Sequence, residues 1–120
     1  LGYWIAAETN GVLAPPEEWR RQIDFLAVSP KARYAGRYDE ARMVRQADEV
    51  RVVVDGDVAD FCRDMRRRIA APRYFLSPCA RGGGANVAET MRLLGVLNRD
   101  VPPGGNWLLS VQAHKLAGLP

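Results

Sequence analysis

With 120 residues, 48% of them hydrophobic and 26% charged, the chain has the composition of one globular domain with a modest core, which excludes general disorder. Its formal net charge of +3 rests chiefly on arginine, a balance that admits anionic ligands without specifying nucleic acid. No apolar run approaches the ~18 residues that cross a bilayer, and Leu1-Gly2-Tyr3-Trp4 has neither a basic leader nor a cleavage site, so no membrane partner and a cytoplasmic location are expected.

In chain order, Tyr3 to Ala7 is a short apolar run that reads as a buried strand already under way, ended by Glu8-Thr9-Asn10-Gly11. With no initiating methionine before it, the chain reads as a fragment. Pro15-Pro16-Glu17-Glu18-Trp19 suits a brief helical turn, because proline and acidic residues are favoured in a first turn. Ile23 to Val28 predicts a second strand, stopped by Ser29-Pro30-Lys31. The arginine-rich stretch from Ala32 is poorly periodic, and a short helix is expected over Asp39 to Gln46. Valines from Val50 to Val54 predict a third strand, and Asp55-Gly56-Asp57 supplies a turn and an N-cap for a helix. In that helix Val58, Phe61, Cys62, Met65 and Ile69 fall at helical spacing, leaving Arg63, Arg66, Arg67 and Arg68 on a solvated polar face.

Tyr74 to Leu76 predicts a fourth strand, ended by Ser77-Pro78-Cys79-Ala80, and Gly82 to Gly84 reads as a flexible loop, since no strand-loop-lysine spacing makes it a phosphate cradle. A second helix over Asn86 to Asn98 puts Val87, Met91, Leu94 and Leu97 on one stripe. Trp107 to Val111 is the last strand, before Gln112-Ala113-His114-Lys115. Strands separated by helix-length connections predict an α/β fold, a parallel sheet of about five strands with crossover helices. The C-terminal ends of parallel strands carry ligand sites, which gathers Glu8, Asn10, Ser29, Lys31, Gln112, His114 and Lys115 on one rim. That rim suits a polar, partly anionic small ligand. It contains no Walker loop, dinucleotide fingerprint, zinc spacing or nucleophile elbow.

The ordered clusters Glu8-Thr9-Asn10-Gly11, Val28-Ser29-Pro30-Lys31 and Trp107-Leu108-Leu109-Ser110-Val111-Gln112-Ala113-His114-Lys115 resemble the C-terminal half of the 7-carboxy-7-deazaguanine synthase family, over nearly the whole chain. The resemblance implies part of an incomplete radical S-adenosylmethionine (β/α) barrel, with the cluster-binding N-terminal half absent. It also implies a lyase activity that converts 6-carboxy-5,6,7,8-tetrahydropterin to 7-carboxy-7-deazaguanine. On the same resemblance the cofactors of the parent protein are S-adenosylmethionine, a [4Fe-4S] cluster and Mg2+, the last two held by ligands outside this chain. Ser29, Pro30 and Lys31 would contact S-adenosylmethionine, with Glu8 and Asn10 beside it. Ser77-Pro78-Cys79-Ala80 stands where the family has a Gln-Pro contact, with serine in place of glutamine. Gln112, His114 and Lys115 fall in the substrate region, and Pro120 resembles the C-terminal residue that reaches the pterin. The three-cysteine cluster motif is missing: Cys62 and Cys79 read as a helix-core and a loop thiol, so the fragment alone is expected to be inactive.

A non-catalytic α/β module that binds a small ligand or a protein is the alternative reading. Nucleic-acid binding is disfavoured because no aromatic residues interleave the arginines. The resemblance extends to a homodimer, which no residue pattern here specifies.

Overall fold

The structure, a computed structural model, describes residues 2–81, 84–99, 101–102 and 105–110. Its main sheet runs β1 (Ala6–Thr9), β2 (Phe25–Val28), β3 (Glu49–Val54), β4 (Tyr74–Pro78) and β7 (Trp107–Leu109), in that spatial order. All four pairings are parallel. The fold is therefore α/β, as the alternation of apolar runs and helical stripes requires, because parallel neighbours must be joined by crossovers.

The crossovers are α1 (Glu17–Arg20), a 3-10 turn over Ala32–Arg37, α2 (Ala59–Arg68) and α3 (Val87–Asn98). Before α3, β5 (Ala80–Arg81) pairs antiparallel with β6 (Gly84–Ala85), so Gly84 is in a strand; Gly82 and Gly83, expected with it as a flexible loop, lie outside the described residues. The helix expected over Asp39 to Gln46 is absent. Asp39 folds back on itself there: its carboxylate accepts from Ala41 N at 2.9 Å and its carbonyl from Arg42 and Met43 N, closing a single turn. The segment beyond runs on to a bridge between Gln46 and Ala70. An aspartate side chain that competes for local amides favours a turn over helix propagation.

One face of the sheet carries the core. Val50, Val52 and Val54 alternate with half-buried Glu49, Arg51 and Val53 along β3, so the valines face the helices and the others face away. Against the valines pack Val58, Cys62, Met65 and Ile69 of the α2 region, Leu97 of α3, and Tyr38, Met43 and Val44 from the connection before β3. The stripe on α3 is rotated from the expected one: Thr90 is fully buried and Met91 is 49% exposed. Thr90 is accommodated because its hydroxyl donates to Asn86 O at 2.9 Å, which satisfies the group inside the apolar layer.

The arginine face of α2 is also not uniformly solvated. Arg63 and Arg67 pair outward with Asp60 and Asp64. Arg68 turns inward, with Nη2 donating to Tyr38 O at 2.6 Å and Nη1 to Asp64 at 3.2 Å. Arg66 lies over the Tyr74 ring at 4.4 Å.

Candidate functional site

Parallel strands bring their C-terminal ends to one edge, and three of the four expected clusters are found there. Thr9 is in register with Val28, and Ser29 N donates to Thr9 O at 2.8 Å, so Glu8-Thr9-Asn10 and Ser29-Pro30-Lys31 are neighbours. Val54 is in register with Pro78, which sets Ser77-Pro78-Cys79 beside Asp55. Gln112, His114, Lys115 and Pro120 lie outside the described residues.

The first two clusters are tied together by Tyr38, a residue with no motif to announce it. Its hydroxyl donates to Asn10 O at 2.7 Å and accepts from Lys31 N at 3.0 Å. Burial is the main influence on that hydroxyl and raises its pKa, with the Lys31 amide acting the other way. The Asn10 side chain serves the turn, accepting from Val12 N at 3.0 Å. Gly11 is required here: its φ is +83°, and a Cβ would lie 2.7 Å from Val28 Cγ1. Lys31 Nζ donates to Ser29 Oγ at 3.2 Å, drawing the cation over the strand end. Ser29 and Ser77 are both buried, Cys79 is half-buried, and Glu8, Asn10 and Ala80 are exposed.

Asn86 fixes the other half of the edge. Its Oδ1 accepts from Cys79 N at 2.6 Å and its Nδ2 donates to Val54 O at 2.9 Å, joining the ends of β3 and β4 to the start of α3. The sequence marks Asn86 only as the start of a helix, yet its side chain does not cap that helix. Asp57, expected as the N-cap of α2, lies one residue too early: it accepts from Ala59 N at 3.3 Å, but Val58 occupies the N-cap and no side chain caps the helix.

Between these ties lies a cleft of about 270 Å³ lined by Pro30, Lys31, Ala32, Arg33, Val53, Asp55 and Val58. Two cations, one carboxylate and an apolar floor suit a small ligand that carries both charge signs and an apolar part. The thiols do not suit an iron–sulfur cluster. Cys62 is fully buried in the helix layer, where desolvation pushes its pKa up to about 12, and Cys79 sits apart from it at the end of β4. No group of three or more His, Cys, Asp or Glu capable of holding a metal ion exists among the described residues.

Fold and edge together define a parallel α/β protein with a polar rim at the strand C-termini. Among known proteins, the chain is 48% identical over 119 residues to a 7-carboxy-7-deazaguanine synthase of Neisseria meningitidis serogroup B, which covers 98% of this chain and 53% of that protein. A 7-carboxy-7-deazaguanine synthase of Haemophilus influenzae is 46% identical with the same coverage. One of Bordetella pertussis is 33% identical over 99% of this chain and 48% of its own length. The chain is thus homologous to 7-carboxy-7-deazaguanine synthases and spans about half the length of these relatives. No family model matches it, and neither does any solved structure. No described helix is long and apolar enough to cross a membrane.

Proposed function

We propose that this chain is the C-terminal half of a 7-carboxy-7-deazaguanine synthase and forms part of the S-adenosylmethionine and pterin sites. The parent protein would convert 6-carboxy-5,6,7,8-tetrahydropterin to 7-carboxy-7-deazaguanine by ring contraction with loss of ammonia. The observation that carries this reading is identity of 46 to 48% over 98% of the chain to relatives bearing that name. Its support in the structure is the common edge shared by the Glu8, Ser29 and Ser77 clusters.

On this reading Ser29, Pro30 and Lys31 hold S-adenosylmethionine against the cleft, with Glu8 and Asn10 alongside and Ser77, Pro78, Cys79 and Ala80 across it. Lys31 brings a cation suited to the carboxylate of the amino-acid portion. The apolar walls Val53 and Val58 suit the uncharged portion. Gln112, His114, Lys115 and Pro120 would serve the pterin. No cluster or Mg2+ ligand set is present among the described residues, and in the proposal these ligands belong to the other half of the protein. The second protomer of a homodimer is part of the same proposal.

The test uses the intact parent protein, prepared anaerobically, with binding of S-adenosylmethionine and turnover of the carboxy-tetrahydropterin as readouts. Lys31→Ala is expected to weaken S-adenosylmethionine binding roughly tenfold, the loss of one charge-assisted contact, without lowering Tm. A folded parent that neither binds S-adenosylmethionine nor consumes the pterin removes the proposal and leaves a non-catalytic binding module.

A further inference from the structure

A second pocket lies at the opposite edge of the sheet, between α2 and α3. It has a volume of about 390 Å³ and is lined by Arg63, Arg66, Arg67, Val96, Leu97, Val101 and Trp107. Trp107 opens β7 and is in register with Tyr74, which opens β4, so the pocket sits at the N-terminal end of the strands. The rim at Pro78 is four residues further along β4, roughly 13 Å at the rise of an extended strand.

Among the described residues, three arginines line this pocket and no carboxylate does. Arg63 and Arg67 are each held by an outward aspartate, at 3.1 and 2.5 Å, which leaves part of each guanidinium uncommitted. Arg66 has no carboxylate partner among the described residues. Its guanidinium lies over the Tyr74 ring at 4.4 Å, and Gly105 leaves room for it, since a Cβ there would stand 2.9 Å from Nη2. Its Nη1 is buried and makes no hydrogen bond. Arginines in the last turn of a helix are ordinarily explained by the negative end of the helix dipole. That explanation favours a solvated guanidinium and does not account for a donor turned inward without an acceptor. Nη1 is closed off from the pocket, so an oxyanion there would meet Arg66 through the rest of its guanidinium, beside Arg63 and Arg67. Val96, Leu97, Val101 and Trp107 form the remaining wall, and this wall would cover an apolar group attached to the anion.

We propose that the pocket between α2 and α3 binds a small amphipathic oxyanion, a phosphate or carboxylate carried on an apolar body, with Arg66 as its principal ligand. This site is separate from the rim and does not depend on what the rim binds.

The test is isothermal titration of the intact parent protein with phenyl phosphate, benzoate and inorganic phosphate. Phenyl phosphate or benzoate is expected to bind saturably and more tightly than inorganic phosphate. The tighter of the two identifies the source as a phosphate or a carboxylate. Arg66→Gln is expected to weaken that binding at least tenfold. Val96→Asp places a like charge at the pocket mouth from a residue that is 40% exposed; it gives the same loss without disturbing Tyr74. Absence of saturable binding at millimolar concentrations overturns the proposal, as does binding that is unchanged in a folded Val96→Asp protein.

Discussion

The two faces of the sheet are built differently from the same strands. Val50, Val52, Val54 and Leu76 face the helices and are no more than 1% exposed. One residue away along the same strands, Glu49, Arg51 and Phe75 are half-buried, and on β7 Leu108, next to buried Trp107, is 44% exposed. On that second face Glu49 and Arg51 pair at 2.8 Å and Arg51 lies over Phe75 at 5.7 Å, while Arg51 Nε is buried without a partner. A salt bridge and an orphaned donor on a sheet face are poor sources of stability, whereas close-packed aliphatic burial is a good one. The helical face therefore holds the fold, and the other face is left for whatever the strand ends present.

Core truncation breaks this comparison most sharply. Leu76→Ala should cost about 3 kcal/mol in urea unfolding, whereas Phe75→Ala, its neighbour on the open face, should cost about 1 kcal/mol. Equal losses would mean that the second face is packed as tightly as the first.

Asn86→Ala removes the bonds to Cys79 N and Val54 O at one stroke and should cost about 2 kcal/mol. It should also loosen the Ser77 to Cys79 segment in hydrogen exchange while leaving protection on β1 and β2 unchanged.

The smallest effect is one of pH. Burial holds the Cys62 thiol near 12 against an ordinary 9.0. The unfolded thiol therefore loses its proton first, and stability present below pH 9 declines as the pH rises toward 12. At pH 10 the loss should be about 1.4 kcal/mol relative to Cys62→Ala, read from paired unfolding curves. Tyr38, whose hydroxyl is also raised above 10.0 by burial, adds to the decline in the same direction at higher pH. A thiol reagent should label Cys79 in the native state and Cys62 only on unfolding.

Strands β2, β3 and β4 and both long helices were legible because their periodicities are plain, as in the alternating valines of β3 and Val58, Cys62, Met65 and Ile69 along α2. The first strand was not, since it was expected buried over Tyr3 to Ala7 but runs Ala6–Thr9 with Tyr3, Trp4 and Ile5 exposed. Strand polarity followed from the helix-length connections, and it carried the Glu8, Ser29 and Ser77 clusters to one edge. Asp39 illustrates a failure of the same reasoning. A helix reads from composition there, but a side chain bonding to a nearby amide ended it after one turn. Thr90 illustrates another, since a hydroxyl that bonds to its own helix can enter the core in place of Met91.

By itself the sequence determined the α/β class, the order of strands and helices and the residues at each strand end, because these depend on local pattern and on the need of parallel strands for crossovers. Only the tertiary structure decided how those ends are held. Tyr38 reaches Asn10 and Lys31 across 28 and 7 residues, and Asn86 reaches Val54 across 32. It also decided that Arg66 and Arg68 turn inward while Arg63 and Arg67 pair outward. Neither a long-range hydrogen bond nor the direction of a guanidinium has a local period, so each depends on which surfaces the folded chain brings together.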